Sequence, residues 1–128
     1  MNLLLDTHAF LWFIVNDNRL SARALALVAS PANRRFLSIA SVWEMAIKLS
    51  LGKLTVAQPL GQFLSQQLPR NRIELLEITL EHAVAVATLP FHHRDPFDRL
   101  LAAQCQAGNL PIVSHDSIFD AYSVQRFW

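Results

Sequence analysis

The sequence predicts a single α/β domain, with a central, mainly parallel sheet of about five short strands flanked by helices on both faces. Short apolar runs alternate with segments of helical spacing along the whole chain, which argues for parallel strands joined by right-handed crossovers. At 128 residues the chain suits one core, and no repeat, low-complexity tract or linker divides it. An apolar fraction of 52% against 16% charged residues supplies that core and leaves material for an interface.

Leu3–Leu5 reads as a buried strand, followed by Thr7–Val15, a helix so apolar on every side that it must be covered all round. Ser21 caps a second helix to about Ser30, closed by Pro31-Ala32-Asn33, and Phe36–Ser38 forms the next strand. Ser41–Leu51 has helical spacing through Val42, Met45, Ala46 and Leu49, with Gly52 as a left-handed stop. A helix over Leu60–Leu68, a strand over Leu75–Ile78 and a short helix over Leu80–Thr88, ended by Pro90, come next. Pro96–Ala107 is a well-marked helix with Asp95 before it and Gly108 after it. Ile112–Ser114 is a strand, Ser117–Ala121 about one turn, and Ser123–Trp128 the last strand.

Composition narrows the function. The longest apolar run, Ala9–Val15, is far short of the roughly 18 to 20 residues that cross a bilayer, so no membrane partner is expected. Met1-Asn2-Leu3-Leu4-Leu5-Asp6 lacks a basic leader and cleavage region, and the lone Cys105 has no disulfide partner within the chain, which together point to the cytoplasm. Eleven basic residues against ten acidic ones leave a charge of +1, too small for a global field to attract nucleic acid. Local pairs remain (Arg34 and Arg35, Lys48 and Lys53, Arg70 and Arg72, Arg94 and Arg99), although dispersed pairs of this kind are usually solvated surface.

Four acids fall where a parallel sheet gathers function. Asp6 directly follows the first strand, and Asp116 follows the Ile112–Ser114 strand after one residue. Glu44 and Asp98 lie in the first turns of the Ser41 and Pro96 helices, so all four are expected at the carboxyl edge of the strands. Carboxylates converging there repel unless a cation lies between them, and an all-oxygen donor set suits magnesium or manganese. Zinc fits less well, because Cys105 stands alone and His92-His93 has no matching second pair. The chemistry this favours is metal-assisted hydrolysis of a phosphodiester.

Each acid also has a purely structural reading. Asp6 and Asp116 suit helix or turn caps, Ser41 with Glu44 fits a capping box, and Asp95-Pro96-Phe97-Asp98 reads as a cap, a first-turn proline and a third-position acid. Taken singly, capping is the better account. Taken together the balance shifts, since serine, threonine or asparagine would cap as well, yet four such positions carry acids in a chain with only ten.

Four blocks, in order, carry a family pattern: Leu3-Leu4-Leu5-Asp6-Thr7-His8, Ser38 to Lys48 around Trp43-Glu44, His93-Arg94-Asp95-Pro96-Phe97-Asp98-Arg99-Leu100-Leu101, and Pro111-Ile112-Val113-Ser114-His115-Asp116. Over nearly its whole length the chain resembles the PIN-domain ribonuclease toxins of type II toxin–antitoxin modules, the VapC type. The resemblance implies a Rossmann-like parallel sheet and an endoribonuclease dependent on Mg2+ or Mn2+. It further implies a homodimer and inhibition by a cognate antitoxin whose tail enters the active site. By position, Asp6, Glu44, Asp98 and Asp116 match the family's acidic quartet.

Around that quartet, Thr7 and Ser114 suit hydrogen bonding to a ligating carboxylate, or equally to local backbone. Arg99 suits a substrate phosphate or a neighbouring acid, and His115 an RNA base or an exposed structural role. Asp95 reads mainly as a cap, and Asp120 stays outside the quartet. Phe10, Trp12, Phe13 and Trp43 read as core or interface rather than base-stacking platforms, and Cys105 as a small buried hydrophobe. Two other enzyme classes fit worse. A haloacid-type phosphohydrolase needs a second acid where His8 stands, and dinucleotide binding needs a glycine-rich turn after the first strand. The remaining alternative is a non-catalytic binding module that acts by dimerisation or partner sequestration.

Overall fold

Leu3, Leu4 and Leu5 have no exposed surface, and an apolar run without polar alternation suits only a strand covered on both faces. That strand is the middle of the sheet. The computed structural model describes Met1–Trp128 and contains β1 (Asn2–Leu5), β2 (Arg34–Ser38), β3 (Ile73–Leu76), β4 (Ile112–Val113) and β5 (Arg126–Phe127), all parallel, in the order β3-β2-β1-β4-β5. Around them lie α1 (Thr7–Ile14), α2 (Ala22–Ala29), α3 (Ile39–Ser50), α4 (Leu60–Arg70), α5 (Leu80–Ala85) and α6 (Pro96–Gly108), with tight 3₁₀ turns at Val86–Thr88 and Ser117–Tyr122. None of the helices is long and apolar enough to cross a membrane.

Side chains alternate across the strand, and the core divides accordingly. Leu3 and Leu5 pack on one face with Phe10 of α1, Val28 of α2, Met45 of α3 and Phe63 of α4. Leu4 points the other way, to Leu101, Ala102 and Cys105 of α6 and to Phe119 and Tyr122. Cys105 is 2% exposed, and burial pushes its thiol up to about 12, as expected of a small core hydrophobe. Arg35 is also buried. Its guanidinium donates to the carbonyls of Val28, Ser30, Asn71 and Arg72, tying the end of α2 to the turn before β3. Arg34 pairs with Glu74 at 2.8 Å, so this arginine pair is structural and offers no anion patch.

Several boundaries differ from the sequence reading, each for a local reason. The Ser41–Glu44 capping box does not form. β2 runs directly into α3, Ser38 caps the helix by accepting the Ala40 amide at 3.0 Å, and Ser41 Oγ is buried without a partner. Glu44 therefore lies in the second turn rather than the first. β3 begins at Ile73, in register with Arg35, and Leu75 on this edge strand stays exposed. Only Arg126 and Phe127 of the expected Ser123–Trp128 strand pair with β4, since Ser123 takes a left-handed φ of 58°. At the end of α6 the left-handed residue is Asn109, with φ 49°, and Gly108 still belongs to the helix. Gly52, with φ 70°, closes α3 as expected. Trp43 is 59% exposed and meets Phe97 in an edge-to-face contact, so it is not a core residue.

Leu4 is the single buried β1 side chain facing the α6 layer. Leu4→Ala is expected to destabilise the fold by about 2–5 kcal/mol, read as a lower urea midpoint at unchanged slope.

Candidate active site

The order of strands reverses between β1 and β4: from β1 the chain goes outward to β2 and β3, whereas β4 and β5 lie on the other side. In open parallel sheets a crevice forms at the carboxyl end of such a switch. Here it is a cavity of about 310 Å³ with a single apolar lining residue, Trp12. Asp6, Glu44, Asp98 and Asp116 all line it, joined by Asp95. The four acids picked out in the sequence thus share one space, although they come from four separate segments.

Each is held by a different local device. Asp6 caps α1 and accepts the Ala9 amide at 2.7 Å. Thr7 Oγ1 donates to Glu44 Oε1 at 2.6 Å, while Lys48, one turn later on α3, meets Glu44 Oε2 at 2.7 Å. Asp116 accepts the Ile118 amide at 3.0 Å, and its own amide donates to Ser114 Oγ at 3.0 Å. Asp95 caps α6, accepting the Phe97 and Asp98 amides at 2.8 and 3.3 Å, which sets Asp98 in the first turn facing the cavity. Thr7 thus bonds a cavity carboxylate, Ser114 accepts a local backbone amide, and His115 lines the cavity. Asp120 pairs with Arg126 at 2.9 Å and lies outside it.

Arg99 does not match either role expected of it. Its side chain is buried, turned away from the cavity, and donates to the carbonyls of Val86, Leu89 and Pro90 at 2.9 to 3.2 Å beneath the Phe91 ring. With five donors and a long stem it fastens the loop before α6 rather than meeting an anion. That loop delivers the residue sequence reasoning missed, His93. Its backbone amide donates to the Tyr122 hydroxyl at 2.8 Å, and its Nδ1 accepts the Asp95 amide at 3.1 Å. The proton is therefore on Nε2, which donates to Asp116 Oδ2 at 2.8 Å and Asp98 Oδ2 at 3.0 Å. The ligand atoms of His93, Asp98 and Asp116 lie within 4.8 Å of one another, and a metal ion held by all three would take the place of the Nε2 proton. The sequence signal for the Lys48 contact is its i, i+4 spacing from Glu44 on one helix.

Electrostatically the cavity is strained. Burial pushes Asp98 up to about 7, reinforced by the charge of Asp95 and, more weakly, of Asp6 and Glu44, while His93 opposes the shift. Burial also raises Asp6, against hydrogen bonds from the Ser114 hydroxyl and the Ala9 amide. Among five acids the lining offers one lysine, so negative charge is under-compensated. Oxygen donors of this kind, clustered and partly desolvated, fit a hard divalent cation.

A doubly wound parallel sheet with an acid-lined crevice at its topological switch defines the class of domain. The chain belongs to the PIN domain family, which matches residues 3–125. No curated protein sequence matches it significantly. Among solved structures, it is similar to a chain of VapBC2 from Rickettsia felis bound to a DNA fragment from their promoter, with 18% identity, 99% of this chain and 98% of that chain covered, and a TM-score of 0.71. FitAcB from Neisseria gonorrhoeae gives 22% identity, coverage of 98% and 96%, and a TM-score of 0.68. A toxin-antitoxin complex from Klebsiella pneumoniae gives 18%, coverage of 90% and 87%, and 0.60. At these identities the likeness is one of fold.

The Asp98 shift has a sign that can be measured. From about pH 4 to pH 7 the folded chain keeps a proton that the unfolded chain has lost, so metal-free stability falls as pH rises through this window and levels off above it. Asp98→Asn is expected to stabilise the metal-free protein at pH 8, on the order of 2 kcal/mol, and to have little effect at pH 4. Urea unfolding in chelator at both pH values checks this; an equal gain at each would contradict it.

Proposed function

We propose that the chain is an endoribonuclease dependent on Mg2+ or Mn2+, and the toxin of a toxin–antitoxin pair. The observation that carries the nuclease reading is the convergence of Asp6, Glu44, Asp98 and Asp116 on one cavity at the sheet switch. These four would hold the ion. When bound, such an ion supplies a nucleophilic water and charge compensation for the leaving oxygen.

The chain's own contribution is orientation. Thr7 and Lys48 fix the two oxygens of Glu44, so its carboxylate has no freedom to rotate away. Ser114 steadies Asp116 through its backbone amide, and the amides at the starts of α1 and α6 favour the ionised acids beside them. The Nε2 proton of His93 bridges Asp98 and Asp116, holding two acids together that would otherwise repel.

The toxin reading rests on the sequence resemblance and on the shared fold with chains of toxin–antitoxin complexes. It brings with it RNA as substrate, a cognate antitoxin as partner, a homodimer and a cytoplasmic location. Exposed Leu80, Val84 and Phe91 supply apolar surface suited to protein contacts.

Purified protein with magnesium or manganese is expected to hydrolyse a susceptible RNA, with Asp6→Asn and Asp98→Asn slower by roughly a hundredfold or more at unchanged circular dichroism. Activity that is equal in those variants, or that persists in excess chelator, would instead favour the non-catalytic binding module. Independently of turnover, magnesium at a hundred times its dissociation constant is expected to raise the wild-type Tm by about 10 °C. The rise should be clearly smaller in Asp98→Asn.

A further inference from the structure

One wall of the acidic cavity is aromatic. His8 and Trp12, one turn apart on α1, stack with ring centroids 5.4 Å apart and planes inclined by 17°. Trp12 meets Trp128 edge to face at 5.8 Å, and Trp128 meets His115 in the same manner at 5.4 Å. The four rings form one chain, of which His8, Trp12 and His115 line the cavity. Both indoles are half-buried against the core, whereas both imidazoles are exposed. Each end of the chain is therefore a small flat ring at the surface, braced by a larger anchored one.

The fold's stability does not explain two exposed imidazoles so placed, since neither buries much surface. Until a cation is bound, however, the cavity lacks attraction for a polyanion: its five acids face a single lysine, already paired with Glu44. A nucleic acid entering it needs binding energy from another source. Stacking of a base on an aromatic ring supplies such energy without regard to charge.

We propose that this rim is a nucleobase subsite, in which the base next to the phosphate in the cavity stacks on His8, braced by Trp12, with His115 on Trp128 as a second stacking face. The proposal rests on the nuclease reading above and assigns to these rings the holding of an unpaired base. Bases inside a duplex already have both faces covered by their neighbours.

The probe is a single-stranded RNA carrying 2-aminopurine, titrated against the full chain in the Asp98→Asn background without divalent metal, so that binding is read without cleavage. Quenching of the probe on binding is expected, with affinity about tenfold weaker and quenching lost in His8→Ala and in Trp12→Leu, and both kept in Trp12→Phe. His8 is exposed, so its variant reports on stacking even where Trp12→Leu loosens the fold. The same sequence as a duplex is expected to bind at least tenfold more weakly. Cleavage of the probe by the wild type with magnesium is followed in parallel. Cleavage with no quenching, or with quenching indifferent to His8 and Trp12, overturns the subsite and leaves the nuclease standing. Quenching that depends on these rings without cleavage supports the subsite and removes the nuclease. An RNA that does not bind overturns the subsite.

Discussion

Like charges brought together out of water set the terms for the rest of this molecule. Five carboxyl groups share a cavity with one lysine, and the burial that shapes the cavity also raises Asp98 and Asp6 toward protonation. The fold keeps them there by surrounding them with donors. Asp6, Asp95 and Asp116 each accept a backbone amide at the start of a helix or tight turn, Thr7 and Lys48 take Glu44, and His93 places one proton between Asp98 and Asp116. Capping and function are thus the same contacts, since an acid that closes a helix end is also an acid whose direction is fixed.

That arrangement follows from parallel strands. When every strand runs the same way, every strand ends at the same edge, and the helices that follow begin there. Asp6 and Asp116 become neighbours because β1 and β4 pair, Leu5 opposite Val113. Glu44 comes from the helix after β2, and Asp98 from a helix packed on the opposite face of the sheet from α1. The loop before α6 crosses this edge, and Arg99 and Tyr122 fasten it from below so that His93 reaches over the two acids.

What the sequence disclosed and what it withheld divide by range. β1, the caps at Ser21 and Asp95, and the proline that starts α6 were legible because their signals are local: an apolar run, a short polar side chain, a missing amide hydrogen. The shared cavity of the four acids was legible because strand ends in a parallel sheet are predictable as a group. His93 was not, since its place depends on a loop whose course is set by contacts from Arg99 and Tyr122. A cation beside an acid in sequence suggests a pair, whereas the helix turns consecutive side chains apart and sends Arg99 to the loop carbonyls. The helix expected from Ser41 starts earlier, because β2, paired with β3 through Ser38, runs directly into it and leaves Ser38 as the cap.

Cys105 lies beneath Phe119 and Tyr122, in the layer that supports the Asp116 turn. With its thiol closed off from solvent and held in the neutral form, an alkylating reagent meets it only when that layer parts. The labelling rate at this one position then counts excursions of the α6 side of the molecule, and comparison with global unfolding would tell whether the two halves of the core separate together or in turn.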